Sequence, residues 1–121
     1  MIAKILSNQE INEFIKIANE IGLDCVIETH TEEELQRAIK IDYPIIGINN
    51  RNLDNLSINI HKTLKLIKNI PSAFTIIGES GIKKYSDIYS YNQSGVYNFL
   101  IGETILTSND ISLKFKELLN I

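Results

Sequence analysis

The stretch IIGINNRNLDNLSINI, residues 45–60, decides the fold. It enters as an unbroken apolar run, breaks into Asn49, Asn50, Arg51 and Asn52, and then turns apolar again. A short run that does not alternate with polar residues reads as a strand covered on both faces, as in parallel sheets with helical crossovers. Amides and a guanidinium are costly to bury. At the end of such a strand they stand where a partner, water or a ligand satisfies them.

Outward from this stretch the same unit recurs. Upstream, DCVIE (24–28) is too short for a helix and follows Gly22, so it reads as a buried strand ending at Glu28. Thr31 and Glu34 have capping-box spacing and open a helix over EEELQRAIK. Ser7 and Glu10 form another such box ahead of Ile11, Phe14, Ile15, Ala18 and Ile21 on one helical face, with Gly22 as the stop. MIAKI, at the beginning, is a candidate strand remnant. Downstream come helix NIHKTLKLIKNI, strand AFTIIG, helix KKYSDIYSY, strand VYNFLIG, a short helical turn and helix SLKFKELLN.

Strands starting near residues 24, 45, 74 and 96 leave about 20 to 30 residues per unit, enough for a strand and a right-handed helical return. The class is therefore α/β, built of parallel (β/α) units. Four units make a small open sheet or half of an eightfold barrel of about 250 residues. Length alone favours the open sheet. No Pro-, Gly- or Ser-rich linker divides the chain, so residues 1–121 read as one domain.

With 44% apolar and 22% charged residues the composition is that of a soluble globular protein. A formal charge of −3 with no basic stripe argues against nucleic acid as a partner. No apolar run approaches the roughly 20 residues that cross a bilayer, so no membrane partner is expected and the chain reads as cytoplasmic. Cys25, inside the run CVI, reads as a small core residue. His30 and His61 lack metal-ligand spacing with each other or with Cys25 and read as surface or capping residues. Tyr85, Tyr89, Tyr91 and Tyr97 read as packing groups.

The residues that break the apolar runs share one place. Glu28, Asn49, Glu79 with Ser80, and Gly102 with Glu103 all fall at the carboxyl ends of successive strands, the rim where α/β folds gather ligand-binding groups. The plainer reading is that they are loop caps. In GESGI (78–82) and IGETI (101–105) a strand gives way to a helix through glycine, so backbone N–H groups can converge on an anion such as phosphate. Neither turn is a P-loop, and Ile82 stands where a nucleophile elbow needs glycine. In this arrangement the Glu103 side chain has to point away from the anion while its amide points in.

GINNRNLDNLSINI, GESGI and FLIGETIL, in this order and at these separations, resemble the second half of the indole-3-glycerol phosphate synthase family. VIETHTEEELQRAI stands in the place of that family's fifth strand and helix. The resemblance runs from end to end. It implies a (β/α)8 TIM barrel of which this chain is the C-terminal half. It also implies a cofactor-free activity: ring closure of an anthranilate-derived ribulose phosphate, with loss of carbon dioxide and water, in tryptophan biosynthesis. By this resemblance Glu28 takes part in proton transfer, Asn49 holds the substrate and its catalytic neighbours, and Arg51 lies near the substrate carboxylate. Ser80 hydrogen-bonds in the same pocket, and the amides around Gly81, Gly102 and Glu103 cradle the phosphate.

The family's general-acid lysine on the third strand, and a glutamate and a lysine on the first, have no counterpart among these residues. Alone, the chain is therefore expected to be inactive. A half-barrel would expose an apolar face and two strand edges, so a separate first-half chain or a second copy is the expected partner. The alternative is a non-catalytic remnant that still binds phosphate.

Overall fold

The computed structural model describes residues 1–121. The elements in chain order are α1 (Asn8–Glu20), β1 (Ile27–Thr29), α2 (Glu32–Ile41), β2 (Ile45–Asn49), α3 (Ile60–Ile67), β3 (Thr75–Glu79), α4 (Tyr85–Asn92), β4 (Asn98–Leu100), α5 (Glu103–Leu106) and α6 (Ile111–Leu119). The four strands form one parallel sheet in the order β1-β2-β3-β4. Every crossover therefore moves one strand in the same direction. A doubly wound open sheet reverses at a switch point. Winding without reversal is the path of a (β/α)8 barrel wall and decides against the open sheet that length alone favours. The remnant at MIAKI is real: Ile2 bridges Glu28 in parallel, and the Glu28 N–H donates to the Met1 carbonyl at 2.7 Å.

The pleat sorts the side chains. Ile27, Ile46, Ile48 and Ile76 point outward and are buried with Leu35, Ala38, Leu66, Ile67, Ile88 and Tyr91 of the helices. Burying each such isoleucine contributes about 1.5–3 kcal/mol, so this layer holds the wall together. Val26, Glu28, Gly47, Asn49, Ile77, Glu79, Asn98 and Leu100 occupy the alternate, concave face, where Leu100 stays exposed. Apolar side chains also reach solvent at both ends of the arc: Phe14, Ile17 and Ile21 of the first helical segment, and Ile111, Leu113 and Phe115 of α6.

Local signals place the helices. The Ser7 hydroxyl accepts from the Glu10 N–H at 3.2 Å and the Glu10 carboxylate from the Ser7 N–H at 2.8 Å, completing the first capping box. At α2, Thr31 accepts from the Glu34 N–H, but the Glu34 carboxylate takes the N–H of His30 at 2.7 Å instead of that of Thr31.

Several expectations change. The first strand begins at Ile27 rather than Asp24, because the Cys25 N–H donates to the Tyr43 hydroxyl at 2.9 Å and the Val26 carbonyl takes the Met1 ammonium at 2.7 Å, outside the ladder. Consequently Cys25 is half-buried, not a core residue. On the α1 face only Ile11 and Ala18 are buried, whereas Phe14 and Ile21 are exposed. Of the tyrosines, Tyr91 alone is fully buried, edge-on to Phe99 at 5.5 Å, while Tyr89 and Tyr97 are exposed.

Candidate functional site

The amide cluster after β2 divides into two tasks. Asn49 faces the concave side, where its Nδ2 donates to Glu28 Oε1 at 2.7 Å and its Oδ1 accepts the Arg51 N–H at 2.9 Å. Asn50 faces the protein and is buried. Its N–H donates to the Glu79 carbonyl at 2.9 Å, its Nδ2 to the Ser80 carbonyl at 2.6 Å, and its Oδ1 accepts the Tyr91 hydroxyl at 2.9 Å. That set ties the ends of β2 and β3 to α4. Asn52 is neither: its Oδ1 accepts the Asp54 N–H at 2.7 Å, a local turn bond.

Two carboxylates face one another above the sheet. Glu79 is 4% exposed, and burial first, then repulsion from Glu28, pushes its carboxyl from an ordinary 4.5 up to about 7; the N-terminal ammonium partly opposes this. At neutral pH Glu79 is thus divided between its acid and base forms, the condition that suits a proton-transfer group. Space for it comes from Gly47: a Cβ there would lie 2.0 Å from Glu79 Oε1. Any side chain at position 47 would displace the carboxylate.

Between β3 and α4 the chain turns through Ser80 (φ 61°) and Gly81 (φ 72°), two successive left-handed residues. Glycine carries that geometry without strain at 81, where a Cβ would also meet Ile58 Cγ2 at 2.3 Å. Ser80, a non-glycine in this region, is held by its carbonyl bond from Asn50. Gly102 precedes α5, whose first residue Glu103 sends its carboxylate across to Arg51, 2.6 Å from a guanidinium nitrogen. The Glu103 side chain is therefore directed at Arg51, which resolves where it goes if its amide serves an anion.

All seven residues expected at the site, Glu28, Asn49, Arg51, Ser80, Gly81, Gly102 and Glu103, line a single cleft of about 500 Å³ at the carboxyl ends of the strands. Glu79, Ile82 and Lys83 line it too. A family model described as indole-3-glycerol phosphate synthase matches residues 1–118. The chain belongs to this family.

Among its relatives, an indole-3-glycerol phosphate synthase of Leuconostoc mesenteroides is 40% identical over 110 residues, 91% of this chain and 42% of the relative. One of Caldanaerobacter subterraneus is 41% identical over 114 residues, 94% of this chain and 44% of the relative. One of Zymomonas mobilis is 34% identical over all 121 residues, 46% of the relative. The chain thus spans less than half the length of these curated relatives.

For this indole-3-glycerol phosphate synthase-family chain, sequence reasoning assigned no role to two groups that line the cleft, Glu79 and Lys83, and to one behind it, His30. Glu79 stood out only as a strand end; its pairing with the gap at Gly47 exists across the sheet and not along the chain. Lys83 brings a basic group to the cleft and to the rim beside it, where only its neighbourhood to GESGI pointed. His30 is neither a surface nor a side-chain capping residue: its side chain is 3% exposed, with Nε2 3.0 Å from Glu28 Oε1. Only its backbone N–H takes part in a cap. β1 continues through Thr29, and His30 follows directly in the turn to α2, where the Glu34 carboxylate takes its backbone N–H and the ring lies between Glu28 and Glu34. His61, by contrast, is exposed as expected.

Proposed function

We propose that this chain forms the C-terminal half, residues 1–121, of an active site for indole-3-glycerol phosphate synthesis, closing the ring of an anthranilate-derived ribulose phosphate with loss of carbon dioxide and water. The observation that carries this reading is the convergence of all seven expected residues on one cleft. In it Glu28 serves proton transfer and is held by Asn49, while Glu79, poised near neutrality, is a second acid–base group. Arg51 offers planar donors to the substrate carboxylate once Glu103 yields them. The backbone around Gly81, Gly102 and Glu103, with Ser80 beside it, receives the phosphate. No cofactor enters the scheme, and a half-buried free cysteine fits a cytoplasmic setting.

The lysines and the glutamate that the resemblance puts on the first and third strands come, in this reading, from a first half docked on the concave face and the exposed apolar ends. Positioned acid–base groups contribute about 10² to 10⁴ in rate each, so the chain by itself turns over negligibly. The decisive experiment is turnover of the ribulose phosphate substrate by the purified chain with and without a separately produced first half. Activity only in the mixture is expected. Activity of the chain alone, or none in the mixture, would refute the reading. Phosphate binding without turnover in the mixture would favour a non-catalytic half-barrel, a second reading supported by the Arg51–Glu103 pair that already occupies the guanidinium.

A further inference from the structure

We infer that His30 is the positioning residue of the site: its buried imidazole stands between Glu28 of β1 and Glu34 of α2 and fixes the Glu28 carboxylate. The inference rests on reading Glu28 as a site residue. The ring is wedged between two carboxylates, Nε2 at 3.0 Å from Glu28 Oε1 and Nδ1 at 3.4 Å from Glu34 Oε2. Both nitrogens are fully buried, and neither completes an aligned hydrogen bond. A buried polar group in that condition costs free energy unless charge compensates it. One acidic oxygen lies beside each ring nitrogen, and either nitrogen can carry the N–H that faces its oxygen.

The consequence for Glu28 is geometric. Its Oε1 receives Asn49 Nδ2 from one side and faces His30 Nε2 on the other, so that oxygen is clamped. The second oxygen, with no protein donor, is left for the cleft. Glu34 in turn cannot swing away, because its Oε2 also accepts the His30 N–H at 2.7 Å. Behind the ring lies a polar cavity of about 120 Å³, lined by His30, Asn49, Asn50, Lys62 and Thr63 among others. A polar cavity of that size has room for water. His30 thus stands between the cleft side of Glu28 and a polar space on the helix side. The charged groups around it are Glu28 on β1, Glu34 on α2, Lys62 on α3 and, beyond Glu28, Glu79 on β3 with the Met1 ammonium.

The test is ligand-free NMR of the intact chain at one fixed pH, with the glutamate side-chain carboxyls labelled with carbon-13 and the asparagine amides with nitrogen-15, and Glu28 assigned through Glu28→Gln. In His30→Leu, which removes both ring nitrogens, the Glu28 carboxyl and the Asn49 side-chain amide resonances are expected to shift. In His30→Gln, which keeps a donor, both stay near their wild-type positions. Unchanged Glu28 and Asn49 signals in the folded Leu variant overturn the proposal, as does a His30→Gln variant that shifts them as far as Leu does. If the Leu variant does not fold, His30→Phe, which keeps the bulk of the ring, takes its place. Because no substrate is used, failed turnover in the reconstitution would sink the enzymatic reading and leave this result standing.

Discussion

Replacing Glu79 by Gln should make the protein more stable at alkaline pH, and by an amount the structure sets. Folding buries this carboxyl beside Glu28 and raises it from 4.5 to about 7, so the native state binds the proton more tightly than the unfolded chain does. The resulting stabilisation is fully present below the unfolded value and is lost as pH rises through about 7. At about 1.4 kcal/mol per pH unit the gap corresponds to about 3 kcal/mol, of which relaxation and water penetration leave about 2–3 kcal/mol. Gln keeps the shape and the hydrogen-bonding capacity but does not titrate. Urea unfolding followed by circular dichroism at pH 5 and pH 8 measures the difference: the wild type should lose about 2–3 kcal/mol more than the variant across that interval. Parallel pH profiles for the two proteins would show that Glu79 is solvated in the native state and refute the reasoning.

Three further outcomes are expected. Asn50→Ala strands the Tyr91 hydroxyl and the Ser80 carbonyl together and should cost about 2–4 kcal/mol by urea unfolding, against about 1 kcal/mol for Tyr91→Phe, which removes a single bond. Gly47→Ala drives a methyl into the Glu79 carboxylate; it should destabilise by about 1–3 kcal/mol and move the Glu79 titration seen by carbon-13 NMR. Arg51→Gln breaks a largely exposed ion pair with Glu103, so stability should change by less than about 1 kcal/mol, while NMR titration with anthranilate should show weaker binding than in the wild type.

Much of this architecture was legible in the chain. Continuous runs such as IIGIN and TIIG announce strands covered on both sides, and Ser7 with Glu10 marks a helix start that forms as the spacing implies. Strand ends were legible for the same reason: polar groups interrupt apolar runs at Glu28, Asn49 and Ser80. What the chain did not disclose depends on register and on neighbours far away in sequence. Nothing near Asn50 marks it as a staple rather than a ligand, since its partners are 30 and 41 residues away. His30 lies inside rather than on the surface because its ring packs between Glu28 at the end of β1 and Glu34 of α2, a neighbourhood that the spacing of histidines does not reveal. The exposure of Phe14 and Ile21 likewise escapes a periodicity argument, which finds an apolar stripe but not what covers it.

The alternation at residues 49–51 has a consequence for how this rim can change. Asn50 fastens one wall element to the next, while the neighbours on either side, Asn49 and Arg51, reach only other cleft residues, Glu28 and Glu103. Recognition and construction therefore occupy separate letters of the same tripeptide. A collection of variants randomised at 49, 51 and 103 would sample new ligand chemistries on an intact scaffold, whereas one that included 50 would give up stability with nearly every member.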